Sequence, residues 1–137
     1  MIRYLIDTNI LSEPLKPQPN LLVVGHLRQH SDEIAIAATT WHEIRYGCEL
    51  LPVSKRRDGI ETYLKHIQAT LPILPYDHVA AAWQATERAR LKNQPPAFQD
   101  SQIAAVAAVN QLILVTNNVA DFVNFHGLTI ANWFEAE

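Results

Sequence analysis

Cysteine is almost absent from the chain. Cys48 stands alone, which excludes an internal disulfide and a cysteine-based zinc cluster. A surplus of basic charge is missing too. Eleven Lys and Arg against fourteen Asp and Glu leave a net charge of −3. That excludes a globally basic nucleic-acid binder but leaves room for a local basic patch beside an acidic site. No apolar run reaches the roughly eighteen residues of a membrane span. Met1 leads almost at once into a strand-like run, without the basic segment and apolar core of a secretory leader. Repeats and low-complexity tracts are also lacking. These absences together predict a cytoplasmic protein with no membrane segment.

What is present is the composition of a globular chain, 48% hydrophobic and 18% charged over 137 residues. Splitting that length into two cores would leave each too small to bury enough apolar surface. One domain over residues 1–137 is expected, with a radius of gyration of about 14 Å. Apolar runs alternate with helical patterns. Tyr4-Leu5-Ile6, Glu33 to Ala37, Leu112 to Thr116 and Leu128 to Ile130 read as strands, and the prolines around Ile73-Leu74 suit only an edge strand. Asn20 to His30 carries Val23, Val24 and Leu27 on one side, and Thr40 to Leu51 carries the stripe Trp41, Ile44, Cys48, Leu51. A charged helix is expected from about Ser54 to Ala69. Another follows the N-cap Asp77, with Val79, Ala82, Trp83, Thr86 and Ala89 on one face. Ile103 to Val109 is apolar all round and reads as a buried helix. Strands separated by helices imply an α/β fold, a central parallel sheet of about five strands flanked by helices on both faces.

In such sheets ligands sit beyond the carboxyl ends of the strands, and four acids are expected there. Asp7 ends the first strand, Asp121 follows the late strand, Asp100 begins the buried helix, and Glu43 is expected in the first turn of the helix after the second strand. Four carboxylates in one cleft would repel one another without a cation. Their hard oxygen ligands suit Mg²⁺ or Mn²⁺, and such ions serve in-line attack on phosphodiesters. Each acid also has a structural reading. Asp7 could form an Asx-turn, Thr40-Trp41-His42-Glu43 matches a capping box, Asp100 could complement a helix N-terminus, and Asp121 could be a solvated loop carboxylate. The joint placement of all four favours the metal reading.

Other constellations are weaker. His26 and His30 stand i, i+4, but without a Glu or Cys in a zinc frame they read as solvent-exposed histidines. Lys55-Arg56-Arg57 reads as a solvated helix face or, with Lys16, Arg45, Arg88, Arg90 and Lys92, as an RNA-binding rim. Trp41, Trp83 and Trp133 read as core, and Cys48 as packing.

Leu5-Ile6-Asp7-Thr8-Asn9, Trp41 to Gly47, Asp100 to Ala105 and Val115-Thr116-Asn117-Asn118 through Asp121-Phe122 resemble the PIN-domain ribonucleases. More narrowly they resemble the VapC toxins of type II toxin–antitoxin systems, and Asp7 to Asn20 is similar to their FitB-like branch. The resemblance covers essentially the whole chain. It implies a PIN-like parallel sheet and a Mg²⁺- or Mn²⁺-dependent endoribonuclease held inactive by a VapB-type antitoxin. It also implies a homodimer or a toxin–antitoxin hetero-oligomer, and an RNA substrate that in some relatives is tRNA. Asp7, Glu43 and Asp100 fall on the family's three best-defined acidic positions, Asp121 on a more variable fourth, and Asn9 and Thr116 on supporting polar positions. Pro95 to Gln99 departs from relatives that carry a small residue directly before this Asp.

The mechanism implied has Asp7 and Asp100 as principal metal ligands, with Glu43 and Asp121 at a second position or its waters. Hydrolysis would leave a 5′-phosphate and a 3′-hydroxyl. Two other readings compete. An Asp-nucleophile phosphatase would use Asp7, but the second Asp such enzymes carry two residues on is here Asn9. A non-catalytic binding module would keep the acidic cleft only as a docking surface.

Overall fold

The computed structural model describes residues 1–136. Strand β1 (Tyr4–Ile6) leads into the short helix α1 (Thr8–Leu11), a 3-10 turn (Glu13–Leu15) and α2 (Leu21–Gln29). Strand β2 (Ile34–Ala37) is followed by α3 (Ala38–Glu49) and α4 (Lys55–Thr70), then β3 (Ile73–Leu74), α5 (His78–Arg90) and α6 (Phe98–Val109). Strand β4 (Ile113–Val115), a second 3-10 turn (Val119–Asp121) and β5 (Thr129–Ala131) complete the chain. All five strands are parallel, in the order β3-β2-β1-β4-β5. The proline-flanked β3 takes an edge, where a missing backbone donor is tolerated.

Period-two alternation divides the core between the two faces of the sheet. Tyr4, Ile6, Ile34, Ile36 and Val115 point one way and pack with Val23 of α2, Ile44 and Cys48 of α3 and Leu64 and Ile67 of α4. Leu5, Ala35, Ala37 and Leu114 point the other way, against Ala80 of α5 and Ile103 to Ala107 of α6. On that second face small residues meet small residues. Ala35 and Ala37 face Ala104, Ala105 and Ala107, all fully buried, so the most apolar helix can lie close to the sheet. Trp41 and Trp83 pack against the two clusters and Trp133 is buried in the first.

Besides α1, three helices begin at polar side-chain caps. Asn20 accepts from the N–H groups of Leu22 and Val23, Ser54 from Arg57 and Asp77 from Ala80. Three expectations need correction. Helix α3 starts at Ala38, straight out of β2 and without a side-chain cap, so Thr40 is not an N-cap. Helix α5 buries Ala80, Gln84 and Glu87, whereas Val79, Ala82, Thr86 and Ala89 are exposed. The two polar residues are buried because they are bonded. Gln84 donates to Phe98 O (3.1 Å) and Ser101 Oγ (2.9 Å) and accepts from Tyr76, while Glu87 accepts from the His126 N–H (2.6 Å) and pairs with Arg90. Finally, His26 and His30 are half-buried and stack on Trp133, with centroids 5.1 and 5.4 Å away.

The Gln84 network ties α5 to the start of α6. Gln84→Leu keeps the volume but orphans the Tyr76 hydroxyl, and should cost about 2 kcal/mol. In urea this should appear as a lower midpoint with an unchanged slope.

Candidate active site

Because β2, β1 and β4 are parallel neighbours, the residues that follow them emerge along one edge. Asp7 comes directly after β1, its N–H donating to Val115 O at 2.9 Å. Its side chain is only 7% exposed. Oδ1 accepts the Thr8 N–H (2.8 Å), which caps α1, and Oδ2 accepts the Thr116 hydroxyl (2.9 Å) and the Asn9 amide (3.5 Å). Thr116 directly follows β4, and its oxygen also accepts the Asn118 N–H (3.0 Å). That second bond leaves the hydroxyl proton for Asp7. Asn9 closes the staple by accepting the Asn117 N–H (3.2 Å). The ends of β1 and β4 thus hold the Asp7 carboxylate in one orientation.

Glu43 lies in the second turn of α3, not the first, since the helix begins at Ala38. The capping-box reading therefore fails. The side chain is half-buried, and its Oε1 is buried without a hydrogen-bond partner. Burial, then the charge of Asp7 and, more weakly, that of Asp100 push its carboxyl above the ordinary range. The nearby Thr8 hydroxyl pulls the other way, although neither Thr8 Oγ1 nor Glu43 Oε1 completes a hydrogen bond. Asp100, third residue of α6, is also raised, first by burial and then by Asp121 and Asp7. Asp7 is raised by burial, with Asp121 adding to it, against the bonds from Thr8 and Thr116. Asp121 itself is exposed on the 3-10 turn after β4.

The four acids therefore act on one another through a shared field. Among the described residues no three His, Cys, Asp or Glu side chains close into a ready-made metal cage. The donor set is nonetheless all oxygen, anionic and under-compensated. Such a donor set is of the kind that suits a hard divalent cation.

The basic residues divide into groups. Lys16, Lys55 and Arg56 line one groove with Ser12, Leu15 and Ile60, and Lys16 is paired with Glu13 at 2.8 Å. Arg45 is paired with Glu49 at 2.5 Å and Arg57 with Glu49 and Glu61. Arg88 lies over the Phe98 ring, 5.1 Å from its centroid. Thr8 is the site residue that residue-by-residue reading overlooked. Its only signal is its place in Asp7-Thr8-Asn9, between two residues already singled out.

A PIN-domain profile matches residues 4–125. The chain belongs to the PIN-domain family. It is 36% identical over 126 residues to Toxin FitB of Neisseria gonorrhoeae, covering 86% of this chain and 89% of that one. Ribonuclease VapC2 of Haemophilus influenzae is 30% identical over 135 residues, covering 97% and 99%. The crystal structure of FitAcB from Neisseria gonorrhoeae superposes with a TM-score of 0.88 at 31% identity, covering 97% and 99%. A PIN-type parallel sheet is thus both expected and found.

The raised carboxyls fix the sign of a pH effect. A group whose folded pKa lies above its unfolded value stabilises the fold below the unfolded pKa, and this stability is lost as pH rises through the folded pKa. In metal-free buffer Asp7→Asn, which removes one such group, should therefore be more stable than wild type at neutral pH. The gap should close as pH falls below the ordinary carboxyl value of 3.8. Urea unfolding of both proteins across that range checks it, and a gap independent of pH would contradict burial of an ionised Asp7.

Proposed function

We propose that this PIN-domain protein is a divalent-metal-dependent endoribonuclease, Mg²⁺ or Mn²⁺ being the ion, and that it acts in the cytoplasm as the toxin of a toxin–antitoxin pair. One observation carries the catalytic part: a buried Asp7 and half-buried Glu43 and Asp100, set by three different elements, act on one another through their charges, and each has its carboxyl raised. A structural role would pair such groups, yet Glu43 Oε1 has no partner. The likeness to proteins named ribonuclease and toxin supports the substrate class. FitAcB and the DNA-bound VapBC of Salmonella typhimurium support a VapB-type antitoxin as partner and assembly as a hetero-oligomer.

Asp7 and Asp100 would hold the cation, with Glu43 and Asp121 beside it. A bound divalent ion would neutralise charge on the phosphodiester and acidify a water molecule. Asp7 is oriented by Thr8, Thr116 and Asn9. Glu43, whose Oε1 is buried without a hydrogen-bond partner, would hold a second position or its waters.

Cleavage of RNA should require Mg²⁺ or Mn²⁺ and stop on chelation. Asp7→Asn and Glu43→Gln should each lower the rate at least about 100-fold while remaining folded. Full activity in Glu43→Gln would return that residue to a structural role. In a thermal-shift titration, metal at a hundredfold excess over Kd should stabilise wild type by about 2.7 kcal/mol. Asp100→Asn should lose most of that, and an equal Mn²⁺ response in both proteins would mean that the acids do not form one site.

A further inference from the structure

Thr8, the first residue of α1, carries a hydroxyl that its own helix does not use. In α4 and α5 the threonine hydroxyls are absorbed locally. Thr62 donates to Asp58 O at 3.0 Å, Thr70 to His66 O at 2.8 Å and Thr86 to Ala82 O at 3.1 Å, each four residues back. Thr8 lacks that outlet, because the residue four positions back is Tyr4 in β1, outside the helix. Its Oγ1 is buried with no hydrogen-bond partner. The backbone of the same residue is fully employed: its N–H donates to Asp7 Oδ1 at 2.8 Å, and its carbonyl accepts from the Ser12 N–H at 2.9 Å.

Helix α1 packs on α3, and α3 carries a carboxylate with the complementary lack. Asp7 is held by three donors, whereas the buried Oε1 of Glu43 has none. Thr8 is the one hydroxyl whose pull is felt at Glu43. Thr40 is orphaned as well and stands three residues before Glu43 on the same helix, but it exerts no such pull. A hydroxyl proton rotates to suit its acceptor, and a buried donor and a buried acceptor left apart are each unfavourable. We propose that the Thr8 hydroxyl donates to Glu43 Oε1 and fixes the orientation of that carboxylate. One residue then orients two acids, Asp7 through its N–H and Glu43 through its hydroxyl. This rests on the ribonuclease reading above, and makes Thr8 a positioning residue and not a catalytic one.

Two measurements test it, one of them independent of catalysis. In metal-free buffer, urea unfolding is followed in a cycle of Thr8→Val, Glu43→Met and the double variant. Val keeps the shape of Thr, so Thr8→Val should lower the midpoint in the wild-type background by stripping Glu43 of its donor. In the Glu43→Met background it removes an orphan instead, and should leave the midpoint unchanged or raise it. Equal shifts in both backgrounds would overturn the bond, as would the same background dependence shown by Thr40→Val in place of Thr8→Val. With metal and RNA present, Thr8→Val should lower kcat about tenfold, the scale of one hydrogen bond to a charged group, with KM little changed. Thr8→Ser, which keeps the hydroxyl, should restore kcat. An unchanged kcat in Thr8→Val, or no rescue by Thr8→Ser, would overturn the positioning role and leave the nuclease reading standing. Absence of any RNA cleavage by the metal-loaded wild type would overturn the nuclease reading and the positioning role with it, while the urea cycle would still decide the bond.

Discussion

The buried carboxylate of Asp7, surrounded by charges of its own sign, is the constraint to which the rest of the molecule answers. Burying an ionised group is unfavourable unless it is bonded, and like charges nearby increase the penalty. The chain meets it by strand register. Ile6 pairs with Val115, which delivers Thr116 to Asp7 Oδ2 and brings Asn117 within reach of Asn9. The hydrogen bonds offset part of the desolvation and leave the repulsion among Asp7, Glu43 and Asp100 in place. A site of this kind persists only where the surrounding structure over-determines it, and here a buried apolar cluster packs on each face of the sheet.

The second face supplies the other half of that rigidity. Helix α6 is at once the most buried helix and the one that carries Asp100. Its alanine-rich face meets Ala35 and Ala37 of β2, so its position is set by close contact along its length. At its start, Gln84, Ser101 and Tyr76 form a closed polar network. An acidic ligand held by a packed helix and a bonded N-terminus has little freedom to relax away from its neighbours, which is what a preorganised site requires.

The sheet was legible in the sequence because a parallel strand is apolar on both faces and stands between helices of a different period. The acids were legible because three of them follow strands or open a helix that fits between strands. The misread elements share a physical cause: a contact made by residues distant in sequence. Helix α3 begins with no capping side chain, since Ala37 passes from extended backbone directly into the helix. Only the sheet decides where that happens. The buried face of α5 was misassigned because hydrophobic periodicity cannot detect polar residues that are buried and bonded, as Gln84 is to Ser101 and Glu87 to the backbone of His126. His26 and His30 are covered by Trp133, more than a hundred positions away. No local pattern reports that stacking.

Charge counting misleads in a similar way. Eleven cations on a chain of net charge −3 suggest a modest reserve for binding a polyanion. Among the described residues, however, Arg3, Lys16, Arg45, Arg57 and Arg90 are already committed to Glu33, Glu13, Glu49, Glu61 and Glu87. The exposed ones among these pairs contribute little to stability, but all of them neutralise the field a phosphate would meet at a distance. The remaining attraction reaches only about a Debye length, roughly 8 Å at physiological salt, and around the acids it is opposed by their own charge. A nucleic acid would then be held close to this site less by its backbone charge than by short-range contacts that salt does not screen.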